Sequence, residues 1–370
     1  MAENAPSYTI AVSRSPGESR MALLVGDALL EVVHRRDADI QPGSVYAGRI
    51  GARVPGIDAV FVEIGHAVPG VLKIKSPPPE GTAIAVSVVV PARADKGAEL
   101  KAVNQPLNGA SIPSLLTAAP DPVLAWWVQY GPDIQRIVCN TAREAKRVEQ
   151  TIKGASAQVH NGTDLFTDLG IDEAIETALR HAVALPGGGS LLIETTSAVT
   201  AIDINSGSSD PATANHAAMA VIARELRKRN VAGHLVIDVI PGKGTGALPR
   251  LLTRALGEDP IPARVAGVTP LGMIELTRQR LGLSLAEQLL DETGALSVAS
   301  TAYACLRHSV RQALSEKIAT PAVFAAPDVV ALLQGPLRAA LVEANDILKT
   351  EIVLKSDSSF ARARFMCKPA

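Results

Sequence analysis

Residues 59 to 64 read Ala-Val-Phe-Val-Glu-Ile, with Val60, Val62 and Ile64 on one set of alternate positions and Ala59, Phe61 and Glu63 on the other. A period of two is the pattern of a strand with one buried face. Similar short runs lie at 44–50, 70–74, 83–90 and 99–103, separated by turns rich in glycine and proline. Such a series predicts a small β-barrel of the OB type. The apolar set faces the barrel core and leaves Phe61 outside beside Glu63. An outward ring on such a sheet is a candidate stacking platform for a nucleobase. Packing beneath a loop or a neighbouring domain is the alternative, and the pattern does not separate the two.

Before the barrel, Tyr8 to Arg36 reads as extended and hairpin-like, whereas 106–122 is rich in small, loop-forming residues. After it the period changes. A strand at 134–139 precedes an amphipathic helix at 141–152 and a second helix at 171–184, closed by Pro186-Gly187-Gly188-Gly189. Strands at 190–194 and 198–205, a long helix at 212–230 and a near-continuous apolar strand at 235–240 follow. This alternation predicts an α/β unit with a mostly parallel sheet. Beyond 297 the pattern is that of a smaller α/β unit, with helices at 302–317 and 327–344 and a strand at 350–355. The fold class is α/β and multi-domain.

Two acids interrupt the apolar strands. Asp203 lies within Thr200-Ala-Ile-Asp-Ile-Asn-Ser-Gly207, a run that reads as buried, and Asp238 lies on the next strand after one crossover helix. A buried ion costs several kcal/mol unless something compensates it. Sequential strands of a β-α-β unit are usually neighbours, so both acids are expected at the same sheet edge, where ligands bind in open α/β sheets. Two close carboxylates repel, and a hard divalent cation such as Mg²⁺ resolves that by taking carboxylate, water and phosphate oxygens. Asn205 shares the face of Asp203 and can orient a water or donate to a phosphate oxygen. The alternative is that each Asp caps a helix or makes an Asx turn. The pair together with Asn205 favours the metal.

Two further features carry charge. Pro241-Gly-Lys-Gly-Thr-Gly246 links the second acidic strand to a helix, a phosphate-cradling arrangement that would place Lys243 near a phosphate. It matches neither a dinucleotide fingerprint nor a Walker loop, which leaves a nucleotide-binding regulator as a weaker reading. Arg278 and Arg280 share one face if their segment is a strand, and could clamp phosphate or base edges; a solvated charged face is the alternative.

Composition narrows the field. The 370 residues hold enough hydrophobic content (47%) for a sizeable core in two or three domains. A net charge of −1 excludes a protein that coats duplexes, so any nucleic-acid surface is local. Cys139, Cys305 and Cys367 are too far apart for a disulfide framework and suit a reducing cytoplasm. Cys305 and His308 have a ligand-like spacing without two further ligands, so a buried thiol beside a surface histidine is expected. The N-terminus has Glu3 and no apolar core of a signal peptide, and no apolar run is long enough for a membrane span.

In order and spacing, TAIDINSG (200–207), GHLVIDVI (233–240) and GMIELTRQRLGLSL (272–285) resemble the catalytic core of the ribonuclease E/G family. GSVYAGRIGARVPGIDAVFVEIG (43–65) resembles the start of that family's embedded S1 domain, ADKGAEL (94–100) its basic closing segment, and LPGGGSLLIETTSAVTAID (185–203) the entry to its nuclease subdomain. The resemblance implies four parts. These are an RNase H-like part (1–43 and 107–185), an embedded S1 (OB-type) barrel (44–106), a DNase I-like α/β nuclease domain (186–296) and a small C-terminal α/β domain (297–370). It implies Asp203 and Asp238 as Mg²⁺ ligands, Asn205 positioning the scissile phosphate or water, and Arg280 beside the active site. Phe61 and Lys96 would hold single-stranded RNA. The implied activity is Mg²⁺-dependent endoribonuclease cleavage that leaves a 5′-phosphate and a 3′-hydroxyl.

The departures shape the expectation. Residues 291–300, DETGALSVAS, lack the family's zinc-binding cysteines, so no structural zinc or zinc-linked tetramer is expected, while a homodimer stays open. The family's 5′-end sensor has no counterpart at 104–134, and its second S1 aromatic is Val71. Ser197 and Pro241 stand where the family has acids. The expectation is a minimal family member, with a catalytically weak or inactive RNA-binding protein as the alternative.

Overall fold

The structure is a computed structural model that describes residues 6–93 and 96–370. Glu3 and the first two residues of the ADKGAEL segment lie outside the described residues. The hairpin-like start is a three-strand meander, β1 (Tyr8–Ser15), β2 (Glu18–Val25) and β3 (Ala28–Arg36). Its first turn needs Gly17, at φ +71°, because a Cβ there would sit 2.5 Å from the Ala340 Cβ of the C-terminal unit.

The chain then enters the barrel. β4 (Val45–Arg53), β5 (Ala59–Glu63), β6 (Gly70–Lys73), β7 (Ala83–Val90) and β8 (Glu99–Ala102) pair in the order β5-β6-β8-β7-β4, and a β4–β5 ladder closes the ring. A further strand, β9 (Ser114–Thr117), pairs with the start of β4. Val60, Val62 and Ile64 point inward as their alternation predicts, and join Ile50, Leu72, Val86, Val88 and Leu100. Ala59, expected outside, is also buried.

After the barrel the chain returns to the first sheet through α1 (Pro122–Tyr130), which Asp121 caps by accepting from the Val123 N–H. Then come β10 (Ile134–Cys139), α2 (Ala142–Thr151), β11 (Ala157–Val159), α3 (Leu165–Asp168) and α4 (Ile171–Ala178). The completed sheet has the order β11-β10-β1-β2-β3, with β10 parallel to both β1 and β11. It is buried on both faces: Ile10 and Val12 pack towards α1 and α2, and Ala11 towards α3 and α4. The helix expected at 171–184 stops at Ala178, since its last residues pair as a strand.

That strand, β12 (Ala182–Ala184), opens the third sheet. β13 (Ser190–Thr195), β14 (Thr200–Asn205), α5 (Pro211–Lys228), β15 (Gly233–Asp238), α6 (Leu248–Leu256), β16 (Ala263–Val268) and β17 (Ile274–Arg278) complete it in the order β12-β13-β14-β15-β17-β16. The sheet is not mostly parallel, contrary to the expectation: only β14–β15 is parallel. Tight hairpins join β12 to β13, β13 to β14 and β16 to β17, and only α5 supplies a crossover between sequential neighbours.

The C-terminal unit consists of α7 (Leu285–Leu289), α8 (Val298–Glu316), β18 (Pro321–Ala325), α9 (Pro327–Gln334), α10 (Arg338–Leu348), β19 (Val353–Ser356) and β20 (Phe365–Pro369). The single helix expected at 327–344 is two, broken at Gly335-Pro336, where Pro336 has no N–H to continue it. Among the described residues no helix is long and apolar enough to cross a membrane.

A buried carboxylate joins the first sheet to the C-terminal unit. Glu18, 1% exposed, meets Arg36 Nε at 3.2 Å, His34 Nδ1 at 3.4 Å and, from α8, Arg307 Nη1 at 2.9 Å. Burial alone would raise its pKa, but the His34 hydrogen bond and the Arg307 and Arg36 charges outweigh burial and hold it well below the usual carboxylate range. Burial lowers the pKa of His34, so the compensating charge comes from the two guanidiniums. A depressed folded pKa contributes stability above the unfolded pKa and loses it as pH falls through the folded value. Glu18→Gln should therefore cost about 3–5 kcal/mol at neutral pH by removing the carboxylate that faces buried Arg36 and half-buried Arg307. The variant should also lose less stability than wild type as pH falls below about 4.5. Urea denaturation at several pH values checks both; equal stability of the two proteins at neutral pH would remove Glu18 from this role.

Candidate active site

β14 puts Thr200, Ile202 and Ile204 on one side and Ala201, Asp203 and Asn205 on the other. Ile202 and Ile204 are buried against α5, and Asp203 and Asn205 are exposed. The expected burial of Asp203 is thus corrected: α5 and α6 cover only one face of the sheet, and Asp203 lies on the open one. β15 repeats the pattern, with Leu235 and Ile237 buried and Asp238 exposed at its last position. The parallel register pairs Asp203 directly with Asp238, on backbones about 4.8 Å apart.

Asn205 Nδ2 donates to Asp203 Oδ2 at 2.7 Å, which fixes one carboxylate rotamer. The backbone beyond Asn205 is held by close approach. A Cβ on Gly189 would lie 2.5 Å from the Asn205 carbonyl oxygen, and one on Gly207, at φ +56°, would strike the Gly188 carbonyl. The backbone beyond Asp238 is held by Asn215 of α5, whose Nδ2 donates to the Ile240 carbonyl (2.8 Å) and whose Oδ1 accepts from the Ile240 N–H (3.1 Å). Asn215 is 3% exposed and was missed from sequence; an amide on the buried stripe of a helix was its only signal.

The capping alternative for Asp203 fails, because Asp210 caps α5 by accepting from the Thr213 N–H at 3.0 Å. Among the described residues neither Asp203 nor Asp238 has a salt-bridge partner, and no group of three or more His, Cys, Asp or Glu side chains could hold a metal. Two carboxylates with an open side fit a cation that keeps most of its waters, as Mg²⁺ does, and do not fit a closed zinc site. Lys243 is exposed in the loop that follows Asp238.

Arg278 and Arg280 are not where the sequence put them. Arg278 is 2% exposed. Its Nε meets Asp259 Oδ2 at 2.7 Å, and its Nη1 reaches Asn230 Oδ1 and the Val231 carbonyl. A guanidinium so enclosed anchors the end of β17 and has no donor to offer RNA. It pairs with Gly233, five residues or about 17 Å along β15 from Asp238. Arg280 lies farther still, past the end of β17, so it does not sit beside the carboxylate pair. Its Nη1 meets Glu287 Oε2 at 2.9 Å, and Glu287 Oε1 also accepts from Arg93 of the barrel at 2.5 Å. Burial raises the Glu287 pKa, and the Ser284 N–H with Arg280 and Arg93 overcomes this and lowers it. Sequence reasoning missed Glu287 as well: Ser284 and Glu287 have capping-box spacing, but Arg93 lies in a distant segment.

On the barrel, Phe61 is half-buried on the outer face, and its partner across the β5–β6 ladder is Val71. Lys96 is exposed and forms an isolated bridge with Arg93. Both residues lie on a separate unit from the carboxylate pair. A cavity of about 810 Å³ opens where the barrel, first sheet and third sheet meet, lined by Arg36, Asp39, His66, Arg93, Trp126 and Glu287 among others. The carboxylates lie outside it, on the open sheet. Cys305 is buried, with its pKa pushed up to about 12 by burial, whereas His308 faces Arg311 and Phe365. That is the inert arrangement expected of them.

Residues 97–281, half of the chain, match the model of the Ribonuclease E/G family. The chain belongs to this family. It is 37% identical over 183 residues to Ribonuclease E of Nostoc sp. (strain PCC 7120), a match covering 44% of this chain and 27% of the relative. With Ribonuclease G of Salmonella typhimurium it shares 28% identity over 219 residues, 54% of this chain and 45% of that protein. With Ribonuclease E of Escherichia coli it shares 39% over 134 residues, 33% of this chain and 13% of the relative. The matches thus span less than half the length of each of these relatives. TAIDINSG, GHLVIDVI and the paired carboxylates fall within the matched segment, and GMIELTRQRLGLSL begins inside it and runs past its end.

Two outcomes test the site. Mg²⁺ should raise the Tm of wild type and leave that of the Asp203→Asn, Asp238→Asn protein unmoved, and the substitutions should not destabilise the metal-free protein, since they remove a like-charge pair. Arg278→Ala should cost about 3–5 kcal/mol in denaturant unfolding. A fully stable Arg278→Ala protein would return that side chain to the list of surface cations.

Proposed function

We propose that this chain is an Mg²⁺-dependent endoribonuclease acting on single-stranded RNA, with Asp203 and Asp238 as its metal ligands. The reading rests on one observation: two solvent-facing carboxylates, in direct register on the single parallel strand pair of the third sheet, with no cation partner among the described residues. Mg²⁺ held there would supply positive charge to the scissile phosphate and acidify an attacking water. Asn205 keeps the Asp203 carboxylate turned outward and leaves its own oxygen free to accept from a water. Asn215 sets the direction in which the chain leaves Asp238, and Lys243 presents a charge to phosphate. Water attack with departure of the 3′ oxygen leaves a 5′-phosphate and a 3′-hydroxyl.

The domain reading is part of the same proposal. The strand order β11-β10-β1-β2-β3, three antiparallel strands followed by two parallel ones, supports an RNase H-like part. The closed barrel inserted within it supports an S1 module whose Phe61 and Lys96 receive RNA. The segment where the family carries zinc ligands folds here as a turn closed on Asp291, which accepts from the Thr293 and Ala295 N–H groups. A zinc-linked tetramer is not part of the proposal, a homodimer is compatible with it, and the cytoplasm is the proposed location. The relatives named Ribonuclease E and Ribonuclease G support the activity class.

The test uses a 5′-labelled, A/U-rich single-stranded RNA with Mg²⁺, with EDTA, and with the Asp203→Asn, Asp238→Asn protein. Internal cuts that need Mg²⁺ and vanish in the variant are expected, with equal rates on 5′-monophosphate and 5′-hydroxyl substrates. Wild type that binds this RNA and never cuts it would replace the enzyme with an RNA-binding protein.

A further inference from the structure

The last three strands form a sheet of order β19-β18-β20 with two dissimilar faces. Val323, Ala325, Leu354 and Cys367 turn towards α8, α9 and α10 and belong to that core. By alternation the opposite face carries Ala322, Phe324, Val353, Lys355, Met366 and Lys368. The register aligns Lys355, Phe324 and Met366 in one row and Val353, Ala322 and Lys368 in the next. Ala322 is buried at one end, but Phe324 is only half-buried and Met366 is 42% exposed.

The cations on this face are placed against its ring. Lys368 Nζ lies 4.5 Å and Lys355 Nζ 5.2 Å from the Phe324 ring centroid. Arg364, one alternation before Met366, lies 4.9 Å over the Phe360 ring. Among the described residues none of these three cations is in a salt bridge, and none of the six face positions carries an acid; the alternation meets Glu351 just before β19 and Asp357 just after it, where Asp357 accepts from the Ser359 N–H and hydroxyl. A folded sheet gains nothing by leaving a phenylalanine and a methionine facing water. A central ring with flanking cations is complementary to an unpaired base with its phosphates, because any base has a π-face and the cations meet the backbone charge.

We propose that the outer face of β18, β19 and β20 is a second binding surface for single-stranded RNA, separate from the barrel and from the carboxylate pair. A base stacks on Phe324 beside Met366, and Lys355, Lys368 and Arg364 hold the adjoining phosphates. The surface acts by binding alone and holds whether or not Asp203 and Asp238 support cleavage.

The test uses the full chain carrying Asp203→Asn and Asp238→Asn, so that RNA stays intact, with a 4-thiouridine-containing oligouridine. Photo-crosslinks should map to peptides holding Phe324 or Met366, as well as to the barrel. Phe324→Leu, which keeps apolar bulk without a ring, should abolish the C-terminal crosslink and weaken this contact about tenfold. Lys355→Gln with Lys368→Gln should lower the slope of log affinity against log salt by about 1.4, with Tm unchanged. Phe61→Ala should spare the C-terminal crosslink, which separates this surface from the barrel. Crosslinks confined to other units, or wild-type affinity and salt slope in the substituted proteins, would overturn the proposal. So would equal displacement by polyglutamate, which would assign the face to an acidic protein partner.

Discussion

The parallel pairing of β14 with β15 is the constraint on which the rest of the site depends. α5 joins the two strands and then lies on one side of them, burying Ile202, Ile204, Leu235 and Ile237. Because a strand alternates, burying those residues turns Asp203, Asn205 and Asp238 to the other side. The hydrophobic core therefore aims the chemistry: a register slip of one residue would carry the isoleucines into water and the carboxylates into the core. Parallel pairing also places Asp203 and Asp238 abreast, so their repulsion is built in and is relieved by what binds between them.

Local patterning made much of this legible. Strict alternation in 59–64 marked a strand and its inner face, since a period of two has one structural reading at that length, and 200–205 was legible as a strand without its bare face. The relation between strands was harder to read. A mostly parallel sheet was inferred from alternating helices and strands, but β12 is only three residues long, β16 is interrupted by Arg264 and Gly267, and hairpin pairing leaves no long-range mark in sequence. The burial of Asp203 was misjudged for a related reason. Isoleucines on both sides of it look like a core strand, and only the placement of α5 and α6 reveals that one face is bare.

The arginines show where local reading fails. Arg278 and Arg280 look alike in sequence, yet one is sealed against Asp259 and the other reaches over to Glu287. Asp259 lies 19 residues before Arg278 and Glu287 seven after Arg280, and no spacing rule selects either pairing. Arg36 and Arg307 are likewise defined by Glu18, and Asn215 by the carbonyl and amide of Ile240. Several charged side chains join units in the same way: Arg307 to Glu18, Arg93 to Glu287, Arg227 to Glu31 and Arg311 to Asp164.

The barrel enters the chain between β3 and α1. A module appended at a terminus hangs from one covalent link and can tumble about it; this one is sewn in at both of its ends. Two attachment points leave rotation about the line between them as the easy rigid-body motion, and Glu287, bonded to Arg93 of the barrel and to Arg280 beyond β17, sits across that motion as a latch of opposite charge. Rising ionic strength, by screening these partly exposed charges, weakens that tie, while the two covalent links keep the barrel's reach fixed.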